Sequence, residues 1–148
     1  MTTKKGFQLD QILNFRKEVE KMRKIDFAVA KHELDDANEQ LARAEYAMLR
    51  LSEELRKKQI DGISALDLQL YADFSHRKRE QIVEQRREVV DLERNVAEKR
   101  ETLLSAAKDK KVLEAFKERK VQAMKRDAAE RELHFLEEIS VQKKGHRT

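Results

Sequence analysis

"KKQIDGISALDLQLY", residues 57–71, decides how this chain folds. Gly62 suits the left-handed position that closes a helix. Ser64, followed three residues later by Asp67, resembles a capping box, in which the serine side chain satisfies a free amide at the start of a new helix. Ile63 and Leu68 stand at the two positions of a hydrophobic staple around that start. One helix therefore ends and another begins within a few residues, and the stretch predicts an antiparallel hairpin instead of one continuous helix.

Outward from the turn, both arms read as coiled coil. On the N-terminal side Phe27, Leu34, Leu41, Met48 and Leu55 recur every seven residues, with Ala30, Ala37, Ala44 and Leu51 at the second seam position. Sustained over four repeats, this is the pattern that keeps one stripe against a partner helix. Alanine at so many seam positions predicts a close approach of the two helices. Further upstream Ile12, Phe15, Val19 and Met22 form a similar set displaced by one residue, which predicts a local change of supercoil there. On the C-terminal side Ile82, Val89, Val96 and Leu103 recur by seven, joined by Gln85, Leu92, Lys99, Ala106 and Leu113. Gln85 and Lys99 are polar seam residues, which fix register at a cost in stability or mark a partly solvated seam. The stripe continues less regularly through Phe116, Val121, Met124, Ala128, Phe135 and Ile139.

Composition agrees with this reading. The 148 residues contain no proline, three glycines (Gly6, Gly62 and Gly145) and 42% charged side chains, too many for a compact single-core domain. High charge with few aromatics also suits disorder, and it is the heptad periodicity that decides for helices. The fold class expected is all-α: a long two-helix antiparallel coiled-coil hairpin with helix two overhanging. We expect one coiled-coil domain over 1–148, with helix one at about 8–58, a turn at about 59–64, helix two at about 65–140 and a frayed tail at 141–148. At 1.5 Å per residue the helices would be about 75 and 115 Å long.

The hairpin turns charge counts into a spatial statement. Residues 1–24 carry seven Lys and Arg against three acids, residues 108–126 carry eight against three, and the 83 residues between them are mildly acidic. If residue i faces about residue 124 − i, the two basic blocks meet at the end remote from the turn. Within "KKVLEAFKERK", residues 110–120, we expect Val112, Leu113 and Phe116 to face helix one while the cations lie on the surface. Near the turn Tyr46, Leu49, Tyr71 and Phe74 come close under the same rule. They form either a small closed cluster or a partner-docking patch.

Chemistry is sparse. Cysteine is absent, which removes disulfides, thiolate nucleophiles and cysteine zinc sites. His32, His76, His134 and His146 are scattered and show neither the pairing nor the acidic companion of a helical zinc site. They read as solvent-facing or seam residues. There is no glycine-rich phosphate loop, no apolar run long enough to span a membrane, and no apolar block of a secretory signal in "MTTKKGFQLD". The expectation is a cytoplasmic protein that is not an enzyme and uses no metal or other cofactor. The basic pole could meet phosphates, but Asp109, Glu114 and Glu118 interleave it and no nucleic-acid-reading motif or stacking platform is present. An acidic protein surface suits it better than specific nucleic acid.

In "FQLDQILNFRKEVE", "LDDANEQLARAE", "YADFSHRKREQIVEQ", "KDKKVLEAFKERK" and "ELHFLEEIS" the chain resembles the flagellar FliJ proteins of the type III export apparatus over nearly its whole length. Phe7, Leu9, Ile12, Leu13 and Arg16 in that order, with the late Lys-Val-Leu-Glu block, carry the likeness. Phe116 stands where many members have leucine, and Glu137 where aspartate is common. The resemblance implies an antiparallel coiled coil acting as a central stalk that binds the hexameric export ATPase, promotes ring assembly and ATP hydrolysis, and couples it to the cytoplasmic domain of the export gate. In some members it also implies escort of export chaperones. It implies a location peripheral to the cytoplasmic face of the inner membrane, reached through these partners. Candidate ring contacts are Arg16, Lys17, Lys110, Lys111, Arg119 and Lys120; candidate gate contacts are Gln40, Tyr71 and Phe74. Alternatives are a nucleic-acid-associated or structural coiled coil, or the equivalent stalk of an injectisome.

Overall fold

The structure, a computed structural model, describes residues 4–146, with the side chains of residues 4, 5, 7 and 146 outside the description. The side chains of Phe7 and His146 and the last two residues of the expected tail therefore lie outside it. Two helices account for the described chain, α1 (Lys4–Asp61) and α2 (Ala65–His146), packed against each other as an antiparallel coiled-coil hairpin without strands among the described residues. Both run further than the expected 8–58 and 65–140. No proline stops them, and Gly6 and Gly145 lie within helix instead of ending it.

Gly62 is the glycine that matters. Its φ of +102° lies in the region closed to side chains with a Cβ. The chain reverses there, and Ser64 caps α2: the Asp67 N–H donates to Ser64 Oγ at 3.1 Å and the Leu68 N–H to the Ser64 carbonyl at 3.0 Å. Ile63 is half-buried beside this cap, whereas Leu68, the other position of the expected staple, is 38% exposed.

By its internal contacts the chain divides into two units. In the unit formed by Lys21–Leu104, every expected seam residue from Phe27 to Leu55 is buried or half-buried, as are Ile82, Gln85, Val89, Leu92, Val96, Lys99 and Leu103. Ala30 and Ala44 are among the most buried residues, which is the close approach that small side chains allow. Cross-helix pairs sit later on α2 than simple reflection about Gly62 places them. Arg86 reaches Glu45 at 3.2 Å, where the rule names residue 79.

The unit formed by Met1–Glu20 and Ser105–Thr148, the first unit in chain order, corrects two expectations. Ile12 and Phe15 are not seam residues: they are 48% and 61% exposed. Met22, in the other unit, is likewise exposed. The inward positions are Leu9, Leu13, Arg16 and Glu20, which fall at multiples of seven before Phe27 and Ala30 and not on the stripe displaced by one residue. On α2 the inward set is Ala106, Lys110, Leu113, Lys117 and Lys120. Leu113 faces the seam as expected; Val112 and Phe116 do not, at 61% and 55% exposed. Charges fill the seam because they match across it. Lys110 Nζ meets Glu20 Oε2 at 2.8 Å and Lys117 Nζ meets Asp10 Oδ1 at 2.7 Å. Beyond Lys120 the side chains of α2 are exposed up to Glu138, with no residue opposite them among those described.

Candidate functional site

The six cations proposed for the basic pole occupy three different settings. Arg16 and Lys110 belong to the seam: Arg16 bridges to Asp109 at 3.5 Å, and Lys110 is held by the buried Glu20 carboxylate. The hydrogen bond that Lys110 donates to Glu20 raises the Lys110 pKa above the usual lysine value, helped by the charges of Glu20 and Glu114 and opposed by desolvation. Lys120 is half-buried at the last inward position. Lys17, Lys111 and Arg119 are exposed.

These exposed cations do not share one flank of the seam. Lys17 and Lys111 project on the side that also carries Asp10, Glu114 and Glu118, so that side is charge-balanced. The other side carries the residues that immediately precede an inward position, Ile12 and Val19 on α1 and Asp109 and Phe116 on α2. Phe15 and Val112 are stacked on these at helical spacings of three and four. Its cations are Arg16, whose guanidinium lies 5.9 Å from the Phe15 ring centre, and Arg119, three residues beyond Phe116. Its acid, Asp109, is engaged by Arg16.

Near the turn, Tyr71 is half-buried and its hydroxyl is fully used: it accepts from Lys58 Nζ at 2.6 Å and donates to Glu54 at 3.3 Å. The same hydrogen bond raises the Lys58 pKa above its ordinary value. Phe74, Tyr46 and Leu49 are 50%, 60% and 57% exposed, so they do not close a cluster under the turn. Leu49 shares a shallow groove with Met48, Arg79, Ile82 and Val83. Gln40 is exposed and stands fourteen residues before Glu54 on α1, about 21 Å along the helix from the level of Tyr71. The structure thus brings Tyr71 to Glu54 and Lys58 but leaves Gln40 apart from them.

The histidines differ from expectation in one respect. His32 and His76 each have an acidic neighbour one turn on, Asp36 at 3.4 Å and Glu80 at 3.1 Å, and His134 stands 3.9 Å from Glu137. Each is exposed and has one such carboxylate, and no group of three metal-ligating side chains exists among the described residues. No described helix is long and apolar enough to cross a membrane.

The exposed apolar side of the first unit is the feature that periodicity alone missed. The available signal was arithmetic: continuing the sevens from Phe27 backwards selects Glu20 and Leu13, and leaves Ile12 and Phe15 outside. Searches among curated proteins and solved structures return no match. The profile of one family, described as "Flagellar FliJ protein", matches residues 4–147. With nearly the whole chain matched and the hairpin in place, the chain belongs to the flagellar FliJ family, coiled-coil proteins associated with the flagellar export apparatus.

Proposed function

We propose that this protein is the non-enzymatic central stalk of the flagellar export ATPase. The unit that joins the two chain ends binds inside the ATPase ring, promotes ring assembly and hydrolysis, and the hairpin couples the ring to the cytoplasmic domain of the export gate. Membership of the FliJ family carries this reading. A helical unit with a distinctive surface can bias a ring only through contacts that differ between subunit states. The pole supplies such a surface: of the six cations expected to contact the ring, Arg16, Lys17, Lys110, Lys111, Arg119 and Lys120, Arg119 borders the exposed apolar side, and the others lie in the seam or on the charge-balanced side. Of these, Lys17, Lys111 and Arg119 point outward, while Arg16 and Lys110 shape the surface by holding the two helices in register.

Gate contact is proposed at the end near the turn, at Gln40, Tyr71 and Phe74. Half-exposed Phe74 is the natural anchor, since Tyr71 already holds Lys58 and Glu54. Escort of export chaperones would use the same exposed surfaces, and the protein would sit at the cytoplasmic face of the membrane through its partners. Nucleic acid is a poorer partner, because Lys110, Lys117 and Arg16 are each already paired with a carboxylate.

The test is hydrolysis. Purified protein added to the export ATPase of the same organism raises the rate of ATP turnover in a concentration-dependent way. Absence of both stimulation and binding would sink the stalk reading.

A further inference from the structure

A two-helix coiled coil buries one stripe on each helix, and what lies beside the seam is ordinarily polar. One side of the first unit breaks this rule. Ile12 and Phe15 on α1, and Val112 and Phe116 on α2, are each about half or more exposed although all four are large and apolar. They are in register with one another. Ile12, Phe15 and Val19 step along α1 by three and four residues, and Val112 and Phe116 step along α2 by four. Two apolar rows flanking one side of the seam form a surface onto which a third helix can pack.

Charge says what kind of helix. This side is edged by Arg16 and Arg119, and its acid, Asp109, is neutralised by Arg16 at 3.5 Å. Asp10, Glu114 and Glu118 all lie on the opposite side of the seam. An incoming surface therefore gains by placing apolar side chains over the two rows and a carboxylate against Arg119.

We propose that this strip, Ile12 and Phe15 with Val112 and Phe116, is the docking surface for a helix of the export ATPase that presents apolar side chains edged by a carboxylate. The inference rests on the stalk reading and deepens it. Contact with the ring is anchored by apolar residues of one side, with Arg119 orienting it, and the exposed lysines Lys17 and Lys111 on the balanced side contribute little. Aromatic anchors ringed by charge dominate interfaces of this sort, so Phe15 and Phe116 carry most of the affinity.

The test compares V112S/F116S with K17E/K111E, using the full chain, the purified export ATPase of the same organism, and fluorescence anisotropy for binding. Both variants retain wild-type helicity by circular dichroism, because all four positions are exposed. V112S/F116S weakens binding by about tenfold or more, the loss typical of an anchoring residue, whereas K17E/K111E changes it by less than about threefold, as expected of screened exposed charges. Wild-type affinity in V112S/F116S, or an equal loss in K17E/K111E, overturns the strip while leaving the stalk reading intact. Failure of the wild-type protein to bind the ATPase overturns both. Sedimentation adds one more outcome: a wild-type dimer that V112S/F116S dissociates would assign the strip to a second copy of this chain and refute the proposal.

Discussion

Gln85 offers a quantitative test of the seam. It occupies an inward position on α2, half-buried between Ile82 and Val89 one turn to either side, and its Oε1 is buried without a hydrogen-bond partner. A buried acceptor left unpaired costs about 1–3 kcal/mol. Leucine at the same position removes that penalty and adds apolar burial, worth about half of the ~2 kcal/mol of a fully buried side chain because the site is half-exposed. Taking the lower end of that penalty, Gln85→Leu should stabilise the hairpin by about 2 kcal/mol. In urea, followed by circular dichroism at the helix minimum, this moves the midpoint upward by about 1 M for a denaturant slope near 2 kcal/mol per M. The thermal midpoint rises by about 4–8 °C. A midpoint that falls or does not move would refute the reasoning, since it would mean that the amide makes interactions in the native seam that leucine cannot replace.

Other consequences are equally direct. Leu13, 4% exposed, is the most buried large side chain of the first unit, and Leu13→Ala should cost about 2–3 kcal/mol in urea unfolding. At the turn, Gly62→Ala meets a φ of +102° and Ser64→Ala loses the cap, so each should lower stability by about 1 kcal/mol. pH dependence follows from Lys110. Its pKa is raised in the folded state by the Glu20 hydrogen bond, so the stability it contributes is fully present below the ordinary lysine value of 10.5. That contribution is lost as pH rises through the higher folded value. Thermal melts between pH 9 and pH values above 10.5 should show wild type losing more stability than Glu20→Gln, which lacks the carboxylate that raises Lys110.

How much of this could be read from residues alone varied along the chain. Between Phe27 and Leu55, and between Ile82 and Leu113, apolar side chains occupy most inward positions, so hydrophobic period and structural period coincide. The turn was legible for a different reason: Gly62 and Ser64 act through local backbone chemistry that needs no partner. Before Phe27 the two periods separate. Arg16 and Glu20 face inward while Ile12 and Phe15 face out, and an apolar count follows the wrong stripe. No local feature of α1 explains why Glu20 is buried. The reason lies on α2, where Lys110 meets it, and where Lys117 likewise meets Asp10. Polar seam positions are satisfied across the hairpin, so their direction becomes visible only when both helices are in place. The candidate site inherited the same error: the cations of "KKVLEAFKERK" were expected on the surface and its Val112 and Phe116 inside, whereas Lys110 and Lys117 turn inward and the two apolar residues turn out.

The central claim is that the unit holding both chain ends engages the export ATPase through its exposed apolar side. Its most direct test replaces Phe116 with a photo-crosslinking phenylalanine analogue in the full-length protein, irradiates cells assembling flagella, and identifies the attached chain by mass spectrometry. The account predicts a covalent adduct with the export ATPase at position 116 and none, or far less, from the same analogue placed at Lys111. Adducts at position 116 only with a second copy of this chain, or with the ATPase equally from position 111, would contradict it.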